Sequence, residues 1–287
     1  MQIRDYSLPK GWFPHDSGEV SSFLSEFSEP GSPGQWSSRS AISPHAGWYY
    51  SGALAAQGAA SLKPGAETIV VLGGHLSAGS PVLFAMEDAA RTPFGSLPID
   101  SAMRSILLKE LNGAEDRYRD NTIEVLLPMV HYFFPKAKLL WMRLPADLGS
   151  FKAGKILSKT AQNLGVVINV LASTDLTHYG ANYGFSPQGR GKTALKWMSE
   201  VNDAGFIKAV EANDSKEVLR RGEQESAACS AGAVLGAMGF AEAEGLGAAR
   251  LLKYATSADI DSDRVPDSFV GYAALTFDNK NTPNLDK

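Results

Sequence analysis

The chain predicts a single α/β domain with a mainly parallel or mixed central sheet flanked by helices. Three observations carry that expectation. Short, continuous apolar runs rich in β-branched residues recur along the sequence, as in strands buried on both faces. Helical segments separate these runs, which is the order of an α/β fold. No repeat or linker divides the 287 residues, because the turn-rich stretch Ser28–Ser40 lies too near the N-terminus to mark a boundary between domains. The domain is therefore expected over 1–287, with a peripheral helix and loop over about 1–39 and the core over about 40–277.

In order along the chain, Ser17–Phe27 sets Val20, Phe23, Leu24 and Phe27 at helical spacing behind a Ser cap, predicting a peripheral amphipathic helix. The apolar runs Ser40–Ser43, Thr68–Leu72, Pro81–Met86, Lys138–Leu144 and Val166–Ala172 predict strands. Segments 51–62, 101–112, 150–164 and 192–211 read as the covering helices. Arg250–Thr256 and Ser268–Phe277 predict two further strands, antiparallel or at an edge.

Composition narrows the function classes. Hydrophobic residues make up 44% and charged residues 20%, which excludes a disordered chain. The net charge is −4 and no Lys/Arg run is long enough to track a phosphate backbone, so nucleic acid is not an expected partner. No segment approaches eighteen apolar residues, so no membrane span is expected. The opening MQIRDYSLPKGWFPHDS carries charges and prolines where a signal peptide needs an apolar stretch. With the single Cys229, which has no partner for an intrachain disulfide, this predicts a cytoplasmic protein.

Three of the five histidines share one kind of position. His45 follows the Ser40–Ser43 run, His75 follows Thr68–Leu72, and His178 follows Val166–Ala172 after the segment STDLT. Each sits at the carboxyl end of a predicted strand, where open α/β sheets bind ligands. His45 and His75 are 30 residues apart, about one βαβ unit, so two imidazoles from adjacent strand ends are expected to converge on one metal ion at about 2.1 Å. Gly47, Gly73 and Gly74 beside them permit sharp turns or close approach. His131 lies in an aromatic-rich apolar segment and is expected to be hydrogen-bonded and partly buried.

A reactive metal needs a third protein ligand and an open position. Asp175 would complete a two-His-one-carboxylate triad, whereas Cys229, expected in an Ala-rich helix, would supply a thiolate favouring Fe, Zn or Cu. Spacing leaves both open. Asp175 has two further readings, orienting an imidazole or capping a helix that starts at Leu176. His178 is the candidate proton handler. Trp48, Tyr49, Tyr50 and Tyr179 are expected either around the pocket, for ligand stacking, or as core residues with no special function. Signatures of a phosphate loop, a zincin helix or a nucleophile elbow are absent.

The segments PHAGWYYSG (44–52), LGGH (72–75), RTPFGSLPID (91–100), STDLTHYG (173–180), ESAACSAGAV (225–234), YATSAD (254–259) and VGYAALTF (270–277) together resemble the Memo family. Its bacterial and archaeal members are called AmmeMemoRadiSam system protein B. The resemblance implies the fold of class III extradiol ring-cleaving dioxygenases, which hold Fe(II) on two His and one carboxylate. Memo-type proteins carry a Cys in the carboxylate's place, so the implied ligands here are His45, His75 and Cys229. His178 takes the position of the dioxygenase acid–base His, with Asp175 just before it. Two departures stand out: Gly73-Gly74 precede the second ligand where relatives carry Pro-Ser or Pro-Asn, and Asn121 stands where they carry a His.

The function expected from this resemblance is a metal-binding protein, with Fe(II) ahead of Cu or Zn, acting as a non-haem redox or dioxygenase-like enzyme on a small organic substrate with O₂. The alternative is a non-enzymatic metal- or peptide-binding protein using the same crevice. A third reading is a metal-independent hydrolase built on Asp175 and His178. The family name further implies association with a radical S-adenosylmethionine protein and an AMMECR-type protein.

Overall fold

The structure is a computed structural model that describes residues 1–28, 38–260 and 265–277. Most of the turn-rich stretch Ser28–Ser40 lies outside them. Twelve strands occur among the described residues: β1 Ile3–Arg4, β2 Ser40–Ser43, β3 Thr68–Leu76, β4 Leu83–Phe84, β5 Ala89–Thr92, β6 Gly95–Pro98, β7 Ala114–Glu115, β8 Lys138–Pro145, β9 Ile168–Ser173, β10 His178–Gly180, β11 Ala249–Thr256 and β12 Ser268–Phe277.

Nine of these form one sheet in the order β10-β12-β2-β9-β3-β8-β4-β7, with β11 also on β12; β1, β5 and β6 make a small second sheet. Strands β2, β9, β3 and β8 run parallel, while β12 runs antiparallel to β2, β10 and β11. The expected mixed α/β sheet is present. The four parallel strands are almost wholly buried and lined with Ile, Val, Leu and Ala, as crossover helices on both faces require.

Several expectations need correction. Strand β9 lies between β2 and β3, so His45 and His75 do not leave adjacent strands. A crossover helix about 10 Å wide covers two strand spacings of about 4.8 Å, so a 30-residue βαβ unit fits a one-strand gap as well as none. Only Leu83–Phe84 of the Pro81–Met86 run is strand, and it pairs antiparallel with β8. Strand β12 is antiparallel to its three partners, as one of the two expected arrangements has it, and is interior rather than at an edge. The first helix is Ser17–Ser25, and its cap is Asp16, whose carboxylate accepts the Glu19 N–H at 3.0 Å. The segment expected as one helix over 192–211 is split by a π turn at Met198–Asp203.

The core forms on both sheet faces. On one, Leu72, Leu144 and Val170 meet the helices Leu148–Leu164 and Ala231–Ala243 through Leu157, Leu235 and Phe240. On the other, Ile69, Val71 and Trp141 meet the helices Trp48–Ala60 and Leu127–Phe133. The helix Ala231–Ala243 is buried on nearly every side, so its apolar residues need no single stripe. Its glycines let it touch its neighbour: a Cβ at Gly239 would fall 1.9 Å from the Phe151 carbonyl oxygen. Among the described residues, no helix is long and apolar enough to cross a membrane.

Candidate metal centre

His45 lies just past β2, in the turn entering the helix Trp48–Ala60, and is 1% exposed. Three contacts fix it. Its backbone N–H donates to Asp175 Oδ1 at 2.8 Å, its Nδ1 lies 2.6 Å from Ser173 Oγ, and its carbonyl accepts Asn121 Nδ2 at 2.9 Å. The remaining nitrogen, Nε2, faces Cys229 Sγ at 3.2 Å.

His75 arrives from the far side of β9, near the end of β3, with φ at +57°. Left-handed backbone costs a non-glycine residue about a kcal/mol or more, so this turn is held by its surroundings. Gly73 and Gly74 permit it: a Cβ on either would fall 2.3 Å from Thr122 Oγ1 or 2.4 Å from Ser230. His75 Nδ1 lies 3.0 Å from Asp120 Oδ2, which also accepts Arg143 Nη2 at 3.1 Å. Asp120 caps the short helix Asn121–Glu124. Arg143 is buried, spanning Asp120 and Asp116.

Cys229 sits in the turn before the helix Ala231–Ala243, not inside a helix as expected. Its backbone N–H donates to the Asp175 carbonyl at 3.2 Å. One donor atom from each of His45, His75 and Cys229 lies within 4.8 Å of the others. The two imidazoles stand edge to face, 5.0 Å between centroids. Tetrahedral ligands about 2.1 Å from a shared ion sit about 3.4 Å apart, so small side-chain shifts would be enough for these three donors to reach one cation.

Electrostatics reinforce the cluster. Burial pushes the Cys229 thiol up, but His45 and His75 outweigh it and hold the thiol well below its ordinary range. Burial opposes a charged His75, yet Asp120 and Cys229 raise it to about 10. Burial likewise opposes a charged His45, and Cys229 and Asp175 override it upward. The shifts thus favour an ionised thiol beside protonated imidazoles, an arrangement in which a bound cation would take the place of the ring protons.

Asp175 stands outside the three, its Oδ2 3.9 Å from His45 Nε2. Burial pushes its carboxyl up, against the pull of His45. It caps no helix: Leu176 N–H donates to the Gly271 carbonyl and the chain enters β10. His178 opens β10 rather than closing a parallel strand, and its ring packs edge-on to Tyr183 at 4.9 Å. His178, Asp175, His45 and His75 line one cavity of about 990 Å³, together with Tyr49 and Tyr50.

The other two expected aromatics are core residues. Trp48 is 7% exposed and donates Nε1–H to the Val125 carbonyl, while Tyr179 is 1% exposed and stacks on Phe269. His131 is partly buried with Nδ1 2.6 Å from Thr92 Oγ1, as expected. Asp120 and Arg143 were not anticipated; the nearest signal is Asp120 as a capping residue before Asn121-Thr122-Ile123-Glu124.

A family model described as Memo-like protein matches residues 4–276. The chain belongs to the Memo-like family. A MEMO1 family protein of Pyrococcus abyssi is 30% identical over 249 residues, covering 82% of this chain and 84% of the relative. One from Methanopyrus kandleri is 29% identical over 246 residues, covering 82% of each chain. Another, from Thermococcus kodakarensis, is 28% identical over 291 residues, covering 96% of this chain and 99% of the relative. A crystal structure of an uncharacterized Escherichia coli K12 protein aligns with TM-score 0.43 and 12% identity over 74% of this chain and 86% of that chain, a likeness too loose to argue from. This Memo-like protein thus brings His45, His75 and its one cysteine together from three separate stretches of chain.

Proposed function

We propose that this Memo-like protein binds a transition-metal ion, Fe(II) ahead of Cu or Zn, through Nε2 of His45, Nε2 of His75 and Sγ of Cys229. One observation carries the reading: both rings are engaged through Nδ1, by Ser173 and Asp120, so both Nε2 atoms are left for the shared centre with the thiolate. A carboxylate bound to the outer nitrogen of a metal-ligating His is the usual orienting partner. The donor set of two imidazoles and one thiolate suits these metals and not Mg or Ca.

We further propose redox, dioxygenase-like chemistry on a small organic substrate with O₂. Iron held by His45, His75 and Cys229 would supply open positions for activating a substrate and oxygen. The chain's own role is to orient and to move protons. His178 Nδ1 is 3.1 Å from the Leu176 carbonyl, which leaves Nε2 for proton exchange with a molecule in the cavity. Tyr50 and Tyr183 offer apolar faces and hydroxyls to that molecule. The working place proposed is the cytoplasm, in association with a radical S-adenosylmethionine protein and an AMMECR-type protein.

The second reading, metal binding without turnover, draws on Cys229: a thiolate carries the same single charge as a carboxylate but is a softer, more covalent donor, which changes the potential of a metal held there. Metal analysis of anaerobically purified protein tests the binding itself, with one ion per chain expected and loss in His45→Ala, His75→Ala and Cys229→Ala. Oxygen uptake by the Fe(II)-loaded protein with an added catechol supports the enzyme. Tight binding with no uptake across a panel of catechols and other small organic compounds supports the second reading.

A further inference from the structure

The π turn Met198–Asp203 aims two buried side chains at the loops that carry the site. Asn202 Nδ2 donates to Thr177 Oγ1 at 2.8 Å and to the Glu225 carbonyl at 3.0 Å. Asp203 accepts the Thr177 N–H at 3.1 Å, the Thr177 hydroxyl, and the Tyr254 hydroxyl at 2.7 Å. Thr177 lies between Asp175 and His178, and Glu225 begins the run that leads to Cys229. The contact is tight, since a Cβ at Gly271 would fall 1.9 Å from Asp203 Oδ2. A π turn inserts one extra residue into a helix and re-aims its side chains. Here the two re-aimed residues meet both loops at once.

We infer that Asn202 and Asp203 are positioning residues that clamp Thr177 and the Glu225 loop and so hold His178 and Cys229 in register with each other. Neither touches the cavity; both act through the backbone they hold. The inference builds on the reading of His178 and Cys229 as site residues, but its test needs neither a metal nor turnover.

The test uses the full metal-free chain with ring-labelled histidine. In proton–carbon correlation spectra, Thr177→Val and Asp203→Ala are expected to move the His178 ring signals and leave those of His15 and His131 in place. Asp203→Asn keeps an oxygen for the Thr177 N–H and is expected to restore the wild-type His178 signals. Asn202→Ala is expected to change the iodoacetamide reaction rate of Cys229 several-fold. Leu107→Ala, a core truncation in the helix Ser101–Glu110, separates positioning from stability: it is expected to lower stability while leaving both readouts unchanged. Unmoved His178 signals in folded Thr177→Val together with an unchanged Cys229 rate in Asn202→Ala would overturn the inference. So would equal changes in Leu107→Ala.

Discussion

Cys229 Sγ lies 3.2 Å from His45 Nε2, although 184 residues separate the two in the chain. One residue braces both: Asp175 takes the His45 backbone N–H on its carboxylate and the Cys229 backbone N–H on its carbonyl. Asp175 therefore fixes where the turns carrying His45 and Cys229 meet, whatever protonation state its buried carboxyl adopts.

The thiol should already be ionised without a metal. Because His45 and His75 hold Cys229 well below its ordinary range, the alkylation rate of the metal-free protein is expected to stay nearly flat from pH 8 to pH 6. An ordinary thiol with a pKa of about 8.5 loses about tenfold per pH unit over the same interval. The double variant His45→Ala/His75→Ala should regain that steep dependence; a steep profile in the wild type would contradict the account.

Asp120→Asn removes the charge behind His75 and one of the two carboxylates that Arg143 pairs with. Loss of such an outer partner typically lowers metal affinity by about 10–100-fold, and that drop is expected in a competition titration with a chelator. Arg143, buried between Asp116 and the altered site, should also lower the stability of the variant.

Asp203 predicts a pH dependence of stability. Burial raises its carboxyl from 3.8 to about 7, against hydrogen bonds from Thr177 and Tyr254. The folded state thus holds this proton more tightly than the unfolded chain, so the contribution is fully present below about pH 4 and is lost as pH rises through about 7. The span corresponds to at most on the order of 4 kcal/mol. Asp203→Asn cannot ionise, so its urea midpoint relative to wild type should rise between pH 5 and pH 8. Parallel curves would refute the assignment.

Gly239→Ala drives a methyl into the Phe151 carbonyl between two helices that have no slack. Overpacking of this kind costs about 1–3 kcal/mol, which should appear as a lower urea midpoint with an unchanged slope. Gly245→Ala, where nothing crowds the added carbon but φ is +66°, separates backbone strain from packing.

Much of this was legible in the sequence because strand ends and turn motifs are local. His45 and His75 stand just past apolar runs, where position alone singles them out, whereas spacing left Cys229 and Asp175 both open and only the family resemblance favoured Cys229; the parallel strands announce themselves as unbroken apolar runs. Strand order was not legible, because a crossover helix is wide enough to skip a strand, and β9 fills the gap between β2 and β3. Trp48 and Tyr179 stayed open between pocket and core because an aromatic beside a motif carries no sign of which way its ring turns. Asp120, Arg143, Asn202 and Asp203 escaped for another reason: each acts on a residue at least 23 positions away, and no periodicity within their own segments reflects that.

Cobalt(II) titration of the anaerobic protein tests the shared centre most directly, because a thiolate bound to cobalt gives an intense charge-transfer absorption. The account predicts saturation at one ion per chain, loss of the absorption in Cys229→Ser, and sharply weakened binding in His45→Ala and His75→Ala. A wild-type protein that binds cobalt with no thiolate absorption, or one whose titration is the same in all three variants, would contradict it.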